Sequence, residues 1–126
     1  MIKVEEQLPL EEMARAGYTA SNYEVVIYTE DDGYIPHFHF RNREKGFDTC
    51  ICIEKAEYFI HGKHQNKLNT SLKDELSDFM KDRADVDFLE GVEITNWQYV
   101  ASLWNKNNSK VKVSLQSTIP DYTQLK

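Results

Sequence analysis

Two alternating stretches joined by a short polar link constrain this chain most. Tyr34-Ile-Pro-His-Phe-His-Phe40 and Phe47-Asp-Thr-Cys-Ile-Cys-Ile53 each change character every second residue, which is the period of a β-strand. The link from Arg41 to Gly46 is short enough for a hairpin loop. The hairpin gathers two of the four His, both Cys and one of the three Pro. In a strand, alternate side chains share a face, so the pairing register decides which residues meet. If Arg43 to Gly46 is a four-residue loop, Asn42 closes against Phe47. His39 then faces Cys50 and His37 faces Cys52. A loop one residue longer or shorter puts Thr49 and Ile51 on the His face instead.

The rest of the chain supplies neighbours for this hairpin. Tyr23-Glu-Val-Val-Ile-Tyr-Thr29 is β-branched and aromatic and reads as a strand. Glu30-Asp-Asp-Gly33 reads as the turn after it. Pro36 lacks an N–H, so a bulge is expected there in a strand with neighbours on both sides. Glu57-Tyr-Phe-Ile60 reads as a short fourth strand ending at His61-Gly62. Before the strands, Leu8-Pro-Leu-Glu-Glu-Met-Ala-Arg-Ala16 reads as a short helix, with Pro9 in its first turn and Gly17 as its stop.

Two longer helices follow. Leu72, Leu76, Phe79 and Met80 make one apolar stripe of a helix at about 71–82. Asp74 and Glu75 suit its positive end, and Lys81 and Arg83 its negative end. Thr95 and Gln98 form a capping box for a second helix at about 96–106, with Ile94 as a staple onto Tyr99. Trp97, Val100, Ala101 and Trp104 form its buried stripe. Asp82 to Glu93 reads as an acidic connection. Val111, Val113 and Leu115 alternate as a final strand would, and Ile119-Pro-Asp-Tyr122 reads as a turn pinning the tail. The expected fold is α+β: an antiparallel meander of three to four strands packed against two or three helices in two layers. At 126 residues, residues 1–126 are expected to form a single domain.

Charge and composition exclude several functions. The net charge of −6 repels phosphate backbones, so non-specific nucleic-acid binding is not expected. The run Arg41 to Lys45 reads as a solvated loop tip. Met1-Ile-Lys-Val-Glu-Glu6 is no secretory leader, and no apolar run suits a membrane span. Cys50 and Cys52, two residues apart on one strand, stand too far apart to bridge. Reduced thiols, and hence a cytoplasmic location, are expected.

Chemistry is thinly represented. No phosphate-binding glycine loop, nucleophile elbow or activated cysteine is legible. Two sites remain. His37, His39, His61 and His64 offer a His-based metal or acid–base site, with three imidazoles holding zinc and a fourth position open to water. His37, His39, Cys50 and Cys52 offer a mixed imidazole–thiolate patch, also suited to zinc. Against both stands an ordinary reading: cysteines as small buried hydrophobes and strand histidines donating to the backbone. No Asp or Glu is visibly placed to orient the histidines.

Pro36-His-Phe-His39, Glu57-Tyr-Phe59, His61-Gly62, Asn96-Trp97 and Trp104-Asn105 together resemble small uncharacterised proteins of gut bacteria and their phages, from about residue 23 onward. A patchier likeness runs to a bacterial domain family of unknown function found near toxin–antitoxin genes. This chain has a longer insert between its strands and its last helix than that family does. Neither group brings an activity. The resemblance implies an intracellular accessory protein encoded by a phage or mobile element. The leading expectation is a small acidic interaction protein with a protein partner, no catalysis and no cofactor, and self-association as a lesser expectation. The alternative is a His-based metal-binding or metal-dependent hydrolytic domain.

Overall fold

The computed structural model describes residues 13–28, 35–59, 66–86, 91, 93–108 and 111–126. Four strands form one antiparallel sheet in sequence order: β1 (Met13–Tyr18), β2 (Glu24–Tyr28), β3 (His37–Asn42) and β4 (Phe47–Cys52). Two helices follow, α1 (Thr70–Lys81) and α2 (Asn96–Asn107). The architecture is the expected α+β meander with helices packed on it.

The fourth strand is not the expected one. Residues 13–16 of the expected first helix belong to β1, which pairs with β2; residues 8–12 lie outside the described residues. Helix propensity in Met-Ala-Arg-Ala is overridden because β1 adds a ladder, with a bulge between Arg15 and Gly17, to a sheet edge. Gly17 also lets the Phe79 ring of α1 come in: a Cβ there would sit 3.1 Å from that ring. Residues 57–59 make only an isolated bridge, Ile51 with Tyr58, rather than a strand. The C-terminus pairs with the outer side of this segment, with Tyr58 N donating to Lys126 O at 3.0 Å and Lys126 N to Ala56 O at 3.2 Å.

The hairpin loop is the four-residue form. The Asn42 side chain accepts from Lys45 N, and Gly46 takes a left-handed φ of 62° while its N–H bonds Arg43 O. Glycine adopts that conformation at no steric cost. The expected bulge at Pro36 is not needed. The β2–β3 ladder ends at Val26 with His39, so the missing N–H of Pro36 leaves no partner unpaired in it.

Alternation gives the sheet a core face. Val25, Ile27, Phe38, Phe40, Ile51 and Ile53 are at most 1% exposed and cluster with Leu76, Met80, Trp97, Val100 and Trp104 from the helices. Tyr23 stacks on Phe40 with centroids 5.0 Å apart. The buried indoles keep partners: Trp97 Nε1 donates to Ile53 O at 2.9 Å and Trp104 Nε1 to Val111 O at 2.7 Å.

Helix α1 starts at Thr70 with Asn69 as its cap. Asp74 and Glu75 therefore fall in its second turn, and Arg83 lies beyond its end. Glu75 instead ties the β1–β2 turn to α1, accepting from Thr19 Oγ1 at 2.5 Å and Ser21 N at 3.0 Å. Those hydrogen bonds outweigh the upward push of burial and hold its carboxyl below the usual value. Helix α2 has the Thr95–Gln98 capping box. Val111 to Leu115 form no strand. The Asn105 side chain replaces a strand partner, donating to Val113 O at 2.8 Å and accepting from Val113 N at 2.7 Å. Tyr122 pins the tail, its hydroxyl donating to Cys52 O and Ile53 O at 3.0 and 2.9 Å. No helix among the described residues is long and apolar enough to cross a membrane.

Candidate metal centre

The face of the sheet opposite Phe38 and Phe40 is built from β2 residues 24, 26 and 28, β3 residues 37, 39 and 41, and β4 residues 48, 50 and 52. Cross-strand partners are Val26–His39–Cys50, Glu24–Arg41–Asp48 and His37–Cys52. Ile53 N donates to Pro36 O at 3.0 Å, so residues 36 and 53 are a hydrogen-bonded pair. The antiparallel alternation then makes His37–Cys52 and His39–Cys50 non-hydrogen-bonded pairs, the kind whose side chains stand closest. The outward bonds agree: Cys52 N donates to Glu57 O and Phe59 N to Cys50 O, both at 2.9 Å and both away from β3.

His37, His39 and Cys50 converge. One ligand atom from each lies within 4.8 Å of the others. Cys50 Sγ is 3.3 Å from His39 Nδ1 and 3.7 Å from His39 Nε2. Cys52 shares the face but its sulfur is outside the converging group. His61 and His64 lie outside the described residues. No disulfide joins the two cysteines.

The rings are held on several sides. His37 is 1% exposed and stacks on Phe59 with centroids 4.2 Å apart. Its Nδ1 is 2.9 Å from Ile35 O. A carbonyl only accepts, so Nδ1 carries a proton. His39 meets the Tyr28 ring edge-on at 4.6 Å, and its Nδ1 is 3.8 Å from Asp48 Oδ1. Burial pushes the Cys52 thiol above its usual pKa, with the Glu57 charge adding to it.

Next along the same face lies an ion cluster. Arg41 is buried at 6% exposure, not part of a solvated loop tip. Its Nε donates to Glu24 Oε1 at 2.8 Å, and Arg15 Nε donates to Glu24 Oε2 at 2.8 Å. Arg41 also bonds the Tyr28 hydroxyl. Burial pushes the Glu24 carboxyl up, but the hydrogen bonds and charges of Arg15 and Arg41 outweigh it and hold the pKa below the ordinary value.

Asp48, the Ile35 carbonyl and the Glu24–Arg41–Tyr28 cluster were not singled out from sequence. Asp48 was within reach. The register that sets Cys50 opposite His39 also puts Asp48 diagonally beside that ring. The Ile35 contact depends on the backbone path before β3 and has no sequence signal. Comparison with known proteins finds no family model that matches the chain, no similar curated protein and no solved structure with a matching fold.

Proposed function

We propose that this protein is a metal-binding domain that holds a zinc ion through His37, His39 and Cys50. The observation that carries the reading is the convergence of two imidazoles and one thiol within 4.8 Å on one sheet face, His37 and Cys50 buried and His39 partly so. Ligands of one tetrahedral zinc lie roughly 3.3–3.7 Å apart, given bonds of about 2.0–2.3 Å. The separation of 3.7 Å between Cys50 Sγ and His39 Nε2 already suits that geometry. Bonding of Nδ1 to Ile35 O directs His37 to ligate through Nε2. Such outer partners are a regular feature of metal-bound histidine. Asp48 Oδ1 is 3.8 Å from His39 Nδ1, beyond hydrogen-bond range, and does not fix which His39 nitrogen ligates.

A structural histidine also donates to a backbone carbonyl, so that bond alone favours neither reading. The thiol brought between two rings is what favours the metal. Imidazole and thiolate together suit zinc, and a set of two imidazoles and one thiolate suits copper as well. The reducing cytoplasm we propose for the protein keeps the thiol available. A partner-binding role has less support: the exposed large apolar side chains among the described residues are Tyr18 and Ile35.

Elemental analysis of protein purified without a polyhistidine tag tests the reading. One zinc per chain, with loss of thermal stability on chelation, is expected. Substoichiometric metal and no response to zinc or chelator would leave His37 and His39 as ordinary sheet residues.

A further inference from the structure

We propose that Cys52 is the fourth ligand of this zinc, so that the centre closes as a His2Cys2 tetrahedron with no position for water or substrate. The inference rests on the metal reading above and concerns what completes the site.

Three observations carry it. The first is register: Cys52 pairs with His37 as Cys50 pairs with His39, and both are non-hydrogen-bonded pairs. Their Cβ atoms stand about 4.5–5.5 Å apart across the strands. Along β4 the two cysteines are two residue rises apart, roughly 7 Å. The four side chains therefore mark the corners of a small rectangle above one face. Rotating χ1 of Cys52 from one staggered well to another carries Sγ about 3 Å, which changes where over this face the sulfur sits.

The second observation is burial. Cys52 is 4% exposed, Cys50 5% and His37 1%. A zinc with three protein ligands works as a catalyst when water and substrate reach its fourth position. This environment suits a closed centre.

The third is charge. Zinc with two neutral imidazoles and one thiolate keeps a net positive charge, which is costly in a buried place. The adjacent cluster of Arg15, Arg41 and Glu24 is one charge positive, which Asp48 beside His39 offsets. A second thiolate brings the metal centre itself to neutrality. Binding forms two Zn–N and two Zn–S bonds and releases two thiol protons to solvent.

Cobalt(II) in place of zinc reads the number of thiolates, since each contributes charge-transfer absorption in the near ultraviolet. The full chain should show two. Cys52→Ser should lose about half of that absorption, because one soft sulfur ligand is gone. It should also bind metal at least about tenfold more weakly, the low end of what even an outer partner contributes. X-ray absorption on the zinc-loaded native protein needs no variant and guards against a misfolded one. Two sulfurs at about 2.3 Å and two nitrogens at about 2.0–2.1 Å are expected. One sulfur in the native protein, or a Cys52→Ser spectrum equal to the native one, overturns the inference and leaves the three-residue site standing. Absence of any metal binding by the native chain overturns the proposed function itself.

Discussion

Both faces of the sheet bury side chains, and they are built on opposite principles. On the core face, Val25, Ile27, Phe38, Phe40, Ile51 and Ile53 meet the helices. Stabilisation there comes from apolar area and is shared among many contacts. On the other face, Glu24, His37, Arg41, Cys50 and Cys52 are each less than 9% exposed. Burial there is tolerable only because specific groups satisfy one another. The first face specifies a fold; the second holds the candidate site. A face that is buried without being apolar is where a site is to be sought.

The largest difference between the faces should appear on deleting their anchors. Trp97→Ala removes a fully buried indole and its bond to Ile53 O, and should cost about 3–5 kcal/mol in denaturant unfolding. On the opposite face, Arg41→Ala strands part of the Glu24 charge. Arg15 still holds the other carboxylate oxygen, so the loss should fall near the lower bound for a broken buried pair, about 3 kcal/mol. Replacing Glu24 and Arg41 together by Leu and Met should cost much less than the two single changes added. Additivity in that cycle would remove the distinction between the faces.

Zinc should act through one face alone. At about 100 times its dissociation constant it should add roughly 2.7 kcal/mol to the native protein. His39→Ala should abolish that gain, while Phe38→Ala should lower stability yet keep it, as differential scanning calorimetry would show.

Acid sensitivity should also come from the polar face. The Glu24 carboxyl is held below its usual value of 4.5. A carboxyl with a depressed folded pKa gives stability above its unfolded pKa, and that stability is lost as pH falls through the folded one. Unfolding midpoints measured between about pH 3 and 6 should therefore drop less steeply in Glu24→Gln than in the native protein. Part of the slope should remain, because Glu75 and Asp121 are also held low by hydrogen bonds.

The smallest effect sharpens the comparison from the other side. Thr49 sits on the core face opposite Phe40, and its hydroxyl has no hydrogen-bond partner among the described residues. Thr49→Val should raise stability by about 1 kcal/mol, since an unsatisfied buried hydroxyl is removed at nearly constant shape. Destabilisation on equilibrium unfolding would mean that even the core face depends on a polar contact.

Much of this was legible in the residues themselves. Period-two alternation marked β3 and β4, β-branched and aromatic content marked β2, the i, i+4, i+7 stripe marked α1, and Thr95 with Gln98 marked the start of α2. Each of these signals is local, carried by neighbours within one or two turns or by one strand's pleat. The four-residue loop that aligns His39 with Cys50 was one of the registers open to the sequence. Asn42 and Gly46 select it through a side-chain cap and a positive φ. Tertiary structure decided the rest. Met13 to Tyr18 became a strand because an open sheet edge offered backbone partners that a short isolated helix lacks. Val111 to Leu115 failed to become one because Asn105 satisfied the same groups from a helix. The burial of Arg41, the bond from His37 to Ile35 O and the place of Asp48 beside His39 arise between segments. Their energies depend on distances across the fold, which no single stretch of sequence contains.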